Sequence, residues 1–264
     1  MVGALRGLRG AHVRMTAERV VAELVARAER AGIMLDLDGT LAPIVSRPED
    51  VEVLPGVPEI LGRLTGRVAT VALVSGRASE DVRRVVDVPG VRIVGTHGLE
   101  DEPPLAPDTL REIEDVAETV GAWVEVKGAA VAVHFRALPD PAGVATAATA
   151  PLARVAAAHG LELVPGKAIL ELMPVGAPRK GDAVQLLVEG EDLEAVLFAG
   201  DDVGDLDAFA ALDRLRAGGL WTCAVAAGGP DVATAVTDAA DLVVEGPAGV
   251  VALLGAIVDA LDLA

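Results

Sequence analysis

Four short segments of this chain carry side chains able to do chemistry together. IMLDLDGT (33–40) is an apolar run that stops at Asp36, adds Asp38 two residues later and turns at Gly39. VATVALV (68–74) runs into SGR, with Ser75 and Gly76 at its tip. AVLFAG (195–200) runs into GDDVGD, which supplies Asp201, Asp202 and Asp205. Lys180 stands alone at the start of a helical pattern. Asp and Gly are ordinary turn residues, so the first segment by itself also fits a plain strand-end turn. The other three point further, because each apolar run delivers its polar residues at its carboxyl end. Acids crowded together in a cleft need a cation, and oxygen-only ligands without His or Cys favour Mg²⁺ over zinc.

In that reading Asp36 and Asp201 hold Mg²⁺ by their side chains and Asp38 by its backbone carbonyl, with Asp202 and Asp205 supporting them. Ser75 and the amides near Gly39 and Gly76 hydrogen-bond phosphate oxygens, and Lys180 neutralises remaining charge as a point cation. Asp36 can attack phosphorus and form an aspartyl-phosphate. Asp38 can protonate the leaving alkoxide and then activate water. Phosphate-monoester hydrolysis needs accelerations of up to about 10²¹, so metal, nucleophile and proton donor are required together. Two competing motifs fail. A calcium EF-hand loop counted from Asp36 has its glycine too early and Arg47 at position twelve, and Gly160 to Lys167 has one residue too many for a phosphate-binding loop.

The elements that must position these residues follow from hydrophobic patterning. VRIVG (91–95), TCAVAAG (222–228) and ADLVVEG (240–246) join the three runs above as buried strands, with helix candidates PEILGRL, SEDVRRVV, KGDAVQLLV and DLDAFAAL between most of them. Continuous apolar strands alternating with helices predict a parallel sheet covered on both faces. Ligands in such sheets bind outside the carboxyl ends of the strands. The middle of the chain breaks the series. A helix candidate DTLREIEDVAETV, a strand pair WVEVKGAAVAVHFR joined at Lys127-Gly128, a helix over 141–159 and a second pair LELVPGKAILELMP turning near Pro165-Gly166 form an α+β pattern. The expected organisation is an N-terminal helical segment over 1–30, a Rossmann-like α/β core over 31–101 and 179–264, and an inserted α+β cap over 102–178. Its crossings carry prolines and would serve as hinges.

Composition bounds the partners. A formal net charge of -18 argues against nucleic acid and against anionic lipid, which both need basic patches. The same charge disfavours an anionic substrate only weakly, because salt screens surface charge over roughly 8 to 10 Å while metal and lysine act in direct contact. Cys223 is the only cysteine, so no intrachain disulfide forms, and its run reads as core strand. The N-terminus spaces arginines through its length and builds no apolar signal-peptide core. GPAGVVALLGAIV (246–258) is too short to span a bilayer and reads as a final helix packed on the core. A cytoplasmic enzyme acting on a small molecule is the expectation. The oligomeric state is left open, a monomer included.

DLDGT, VSGR, an isolated lysine before a helix and GDDVGD stand in the order and spacing of the haloacid dehalogenase superfamily of phosphatases, which the chain resembles from about Ala31 onward. With its α+β insert between the second and third motifs it is most similar to the trehalose-6-phosphate phosphatase family. VEVKGAAVAVHFR resembles that family's Glu-x-Lys and His-aromatic-Arg strands, and PGKAILELMP its Gly-Lys-x-x-x-Glu segment. The resemblance implies that Glu125, Lys127, Arg136, Lys167 and Glu171 hold sugar hydroxyls and help position the phosphate. The residues agree in kind, since Glu125 and Lys127 are two apart on a strand and share a face, although a Glu/Lys pair beside a Lys-Gly turn also fits a solvated hairpin. The implied activity is Mg²⁺-dependent hydrolysis of trehalose 6-phosphate. Alternatives are another phosphorylated disaccharide or glycosyl-3-phosphoglycerate, a sugar phosphomutase, and a non-catalytic sugar-phosphate sensor. Gly204 and Leu206 depart from the family pattern, which more often has Thr and an acid there.

Overall fold

A computed structural model describes residues 14–99, 102–166 and 168–264. Helix α1 (Ala17–Val25) leads into β1 (Ala31–Leu35), α2 (Val57–Leu64), β2 (Thr70–Val74), α3 (Ser79–Val85) and β3 (Arg92–Val94). The chain then leaves this series for α4 (Pro107–Thr119), β4 (Trp123–Lys127), β5 (Ala130–His134), α5 (Pro141–Ala158), β6 (Leu161–Gly166) and β7 (Ile169–Pro174). It returns with α6 (Lys180–Glu191), β8 (Ala195–Gly200), α7 (Leu206–Ala217), β9 (Trp221–Gly228), α8 (Thr234–Ala239), β10 (Leu242–Glu245) and α9 (Gly246–Leu263).

The first and last groups form a six-stranded parallel sheet in the order β10-β9-β8-β1-β2-β3. Its central strands β1 and β8 are apolar and buried at every position because both faces are covered. Along β1, Ala31, Ile33 and Leu35 face a cluster built with α1, α2 and α9, while Met34 faces one built with α6, α7 and α8. β8 repeats this alternation, with Leu197 on one side and Phe198 on the other. Cys223 lies in β9 and is fully buried, as a small hydrophobe would be. Val20 and Leu24 of α1 are buried in the same core, so 14–30 are part of the packing, while the first thirteen residues of the expected N-terminal segment lie outside the described residues.

The inserted part is an antiparallel sheet in the order β4-β5-β7-β6. Val131, Val133, Leu170 and Leu172 turn to one face and pack on Ile113 of α4 and Leu152 of α5. The opposite face carries Glu125, Lys127, His134 and Glu171 beside a small apolar cluster of Ala130, Met173 and Leu99. This is a Rossmann-like α/β core with an α+β cap.

Three local expectations shift. The hairpin expected to turn at Pro165-Gly166 keeps both residues inside β6 and turns after them. β6 is an edge strand, where a proline removes no ladder hydrogen bond from a neighbour. The other hairpin turns one residue later than Lys127-Gly128, with Lys127 paired to Ala130 and Gly128 at φ 67°. The C-terminal apolar stretch, expected to be too short to span a bilayer, lies in a helix that continues through Asp259 and Asp262 to 18 residues, long and apolar enough by length and composition to cross a membrane. Its Val250, Leu253, Leu254, Ile257, Val258 and Leu261 are buried against the core.

Candidate active site

Strand order sets the site. From β1 the chain steps outward to β2 and β3, and after the cap it returns to β8 on the other side of β1. Adjacent strands β1 and β8 therefore diverge at a switch point, where a crevice opens beyond their carboxyl ends. Asp36 follows β1 and Asp201 follows β8, in register: Leu35 pairs Ala199, and the Asp36 amide donates to the Ala199 carbonyl at 2.9 Å. Ser75 follows β2, and its amide donates to the Val94 carbonyl of β3 at 3.0 Å. Between Asp36 and Thr40 the backbone turns back, with the Leu41 amide on the Leu37 carbonyl at 2.9 Å. Gly39 turns at φ 79°, and a Cβ there would overlap the Asp201 carboxylate. Only glycine lets the two strand-end loops approach this closely.

The rim is buried and charged. Asp36, Asp201, Asp205 and Lys180 are each 6% exposed or less. Lys180 Nζ lies 2.8 Å from Asp36 Oδ1 and donates to Asp205 Oδ1 at 2.6 Å. Asp205 Oδ2 accepts from the amides of Asp201 and Asp202 at 2.8 and 2.9 Å, so it shapes the GDDVGD loop from behind. Burial pushes the Asp36 carboxyl well above its ordinary range, with Lys180 opposing and the charges of Asp205 and Asp201 adding. Burial acts against the Lys180 ammonium too, but Asp205 and Asp36 outweigh it and hold that group above its ordinary value.

These two directions describe one deficit: Asp36 and Asp205 share the single Lys180 ammonium, which leaves that pair one positive charge short. Carboxylate oxygens of Asp36, Asp201 and Asp205 all lie within 4.8 Å of one another. An all-oxygen set short of positive charge fits a hard divalent cation. Asp36 and Asp201 are the side chains suited to hold it, because both oxygens of Asp205 are already taken.

Asp38 is engaged differently. Its carboxylate takes a bidentate grip from Arg77, which also donates to the Pro48 carbonyl at 2.9 Å. The Arg77 amide meets Ser75 Oγ at 3.2 Å, so the SGR turn links the Ser75 hydroxyl to the Asp38 side chain.

The polar face of the cap sheet stands opposite. Cross-strand register aligns Glu125, Ala132, Glu171 and Val164 in one row, and Trp123, His134, Ile169 and Gly166 in the next. Because the central Ala132 is small, Lys127 Nζ reaches over the sheet to Glu171 Oε1 at 2.9 Å and lies 3.7 Å from Glu125 Oε2. Burial would lower the Lys127 ammonium, but Glu171 and Glu125 raise it further, so it stays charged. His134 Nε2 meets Glu125 Oε2 at 2.8 Å. Arg136, just after β5, crosses to the core and donates to the Val45 carbonyl at 2.7 Å. Arg179, before α6, joins Glu162 of the cap at 2.8 Å and lies 3.8 Å from Asp207 of the core.

Core rim and cap face enclose one cleft of about 1070 Å³ including its open mouth. Asp36, Asp38, Ser75, Gly76, Lys180, Asp201 and Asp202 line its floor, and Glu125, Lys127, Arg136 and Glu171 line its roof. Asp205 is not on the cleft surface. Lys167 lies outside the described residues. Arg77, His134 and Arg179 line the cleft without having been assigned roles from the sequence. For Arg77 and His134 the signal was present, since they sit in the very SGR and His-aromatic-Arg segments that drew attention.

A parallel core with an acid rim at its switch point, covered by an inserted α+β cap, defines the haloacid dehalogenase class. Within that class, the family model for trehalose-phosphatase matches residues 34–236, and the chain belongs to that family. A trehalose-phosphate phosphatase of Mycobacterium avium is 33% identical over 209 residues, 70% of this chain and 51% of its own length. A Mycobacterium tuberculosis protein described as an uncharacterized glycosyl hydrolase is 35% identical over 206 residues, 69% of this chain and 15% of its own. The chain thus spans about half, or much less, of these curated relatives. The C-terminal domain of Candida albicans trehalose-6-phosphate phosphatase shares the fold, with TM-score 0.79 and 22% identity over 95% of this chain and 99% of that one.

Proposed function

We propose that this protein hydrolyses a phosphorylated disaccharide, trehalose 6-phosphate, to the free sugar and phosphate in the cytoplasm. The observation that carries the reading is one cleft in which a buried Asp36–Lys180–Asp201 rim faces the Glu125–Lys127–Glu171 cluster of the cap. The first suits a phosphoryl group and the second a polyhydroxylated ring, whose hydroxyls need paired acceptors and donors.

The roles follow from chemistry. Asp36 attacks phosphorus, forming an aspartyl-phosphate as the bond from phosphorus to the sugar oxygen breaks. Asp38 takes up a proton from solvent as one prong of the Arg77 grip lets go and gives it to the departing oxygen, then takes one from the water that hydrolyses the aspartyl-phosphate and frees Asp36. Lys180 holds Asp36 Oδ1 in place and offsets phosphate charge, and Ser75 with the Gly76 amide receives phosphate oxygens. Asp36, Asp201 and the Asp38 carbonyl would hold Mg²⁺, which when bound would neutralise charge on the transferring phosphoryl group. The cap residues Glu125, Lys127, Arg136, Lys167 and Glu171 bind the sugar, and Arg179 with Arg136 ties cap to core so that closure excludes water.

The test is phosphate release from trehalose 6-phosphate, sucrose 6-phosphate, glucose 6-phosphate and a glycosyl-3-phosphoglycerate, with Mg²⁺ and with excess chelator. Metal-dependent release favouring trehalose 6-phosphate, abolished by Asp36→Asn, supports the reading. Release favouring another sugar keeps the rim chemistry and moves the substrate. No release from any member sinks it in favour of a mutase or a sensor.

A further inference from the structure

His134 is partly buried in the cleft wall, its side chain 12% exposed, and takes no part in the reaction as derived. It stands directly opposite Trp123 in the β4–β5 ladder, and Glu125, two residues along β4, is its diagonal neighbour on the same face. The imidazole stacks on the Trp123 indole with ring centroids 3.9 Å apart and planes 10° from parallel. That stack fixes the ring, and the ring's edge meets Glu125 Oε2 at 2.8 Å.

We propose that His134 is a positioning residue for sugar specificity, holding the Glu125 carboxylate where a substrate hydroxyl can reach it. The proposal rests on the sugar-phosphatase reading of the cleft.

The neighbours supply the physical reason. Lys127 Nζ lies 3.7 Å from the same Oε2, too far for a hydrogen bond, while it binds Glu171 at 2.9 Å. Two cationic or donor groups therefore compete for Glu125, and His134 wins. Burial acts to raise the Glu125 carboxyl, but the His134 hydrogen bond and the charges of Lys127 and Arg77 leave it below its ordinary value. An ionised carboxylate only accepts, so His134 Nε2 carries the proton and Nδ1 does not need it. Both contacts use Oε2, which leaves Oε1 for a ligand. Without His134 the carboxylate closes on the Lys127 ammonium and turns from the cleft.

The readout is the ratio of kcat/KM for trehalose 6-phosphate to that for 4-nitrophenyl phosphate, measured on the full chain with Mg²⁺. In His134→Leu the ratio falls about tenfold, mostly through a higher KM for the sugar phosphate, as expected when a charged acceptor loses its donor. His134→Gln keeps a donor at similar reach and recovers most of the ratio. Trp123→Leu frees the ring and gives a smaller fall in the same direction, which keeps the test open should His134→Leu not fold. An unchanged ratio, or a Gln variant no better than Leu, overturns the inference alone. Wild-type protein that releases phosphate from no sugar phosphate overturns the functional reading and the inference with it. Independently of activity, ¹⁵N NMR of the imidazole in the wild-type chain near neutral pH should show the Nε2–H tautomer; the Nδ1–H tautomer would contradict the proposed contact.

Discussion

The guanidinium of Arg77 grips Asp38 with two prongs, Nε to Oδ2 at 2.6 Å and Nη2 to Oδ1 at 2.8 Å. Arg77 is itself pinned by the Pro48 carbonyl and is 13% exposed at its side chain. A paired fork of this kind fixes orientation as well as charge. The residue proposed to move the proton is thus held in one rotamer by a partner 39 positions away.

Arg77→Lys keeps the charge and loses the fork. Turnover of a sugar phosphate, whose alkoxide leaving group needs a proton, should fall by about 100-fold, within the range of general acid–base effects. The pre-steady-state burst of 4-nitrophenolate from 4-nitrophenyl phosphate needs no such proton and should fall far less. Equal losses in both would mean that Arg77 supports the fold or the phosphate rather than Asp38.

Lys180 is shared by two buried acids, so its removal leaves both unmatched. Lys180→Ala should lower stability by about 3 to 5 kcal/mol in metal-free buffer, the usual result of breaking a buried ion pair from one side. Added Mg²⁺ should restore part of that loss, because it supplies charge to the same carboxylates. Urea unfolding with and without the ion reads both effects; a variant as stable as wild type without metal would refute the charge deficit.

Gly39 and Gly204 sit in the two loops that meet at the rim, but only one of them needs to be glycine. A Cβ at Gly39 would overlap Asp201, and its backbone at φ 79° disfavours any other residue. Gly39→Ala should therefore displace Asp201, cost about 1 kcal/mol or more, and remove the rise in Tm that Mg²⁺ gives the wild type. Nothing lies within 4 Å of a Cβ at Gly204, so Gly204→Thr, which restores the family's more frequent residue, should fold with wild-type Tm. Thermal unfolding of the two variants side by side decides.

Glu125 gives a pH dependence of known sign. Its carboxyl lies below its ordinary value in the folded protein, so its ionised form contributes stability above the unfolded value of about 4.3. That contribution is lost as pH falls through the folded value. Between pH 6 and pH 3 the wild type should lose more stability than Glu125→Gln. Parallel curves would show that His134 and Lys127 do not favour the charged form.

By itself the sequence determined the class of the core, the break that the cap makes in it, and the acids at the strand ends. Those features are local. An apolar run without alternation means a strand covered on both faces, and a polar residue at its carboxyl end lies on the rim whatever the strand order. Hairpin alternation likewise placed Glu125 and Lys127 on one face before any coordinate was known.

Only the tertiary structure decided which acids share a partner. Asp205, read from its motif beside Asp201, proves to lie behind the cleft with Lys180 and two amides, a placement set by how α6 packs beside the loop after β8. Arg77 was visible in SGR, yet its grip on Asp38 depends on β1 and β2 being neighbours in a given register. The reach of Lys127 over Ala132 to Glu171, 44 positions away, comes from the alignment of β4 and β5 with the later strand β7. Such contacts arise from register and packing across long separations, which local patterns do not encode.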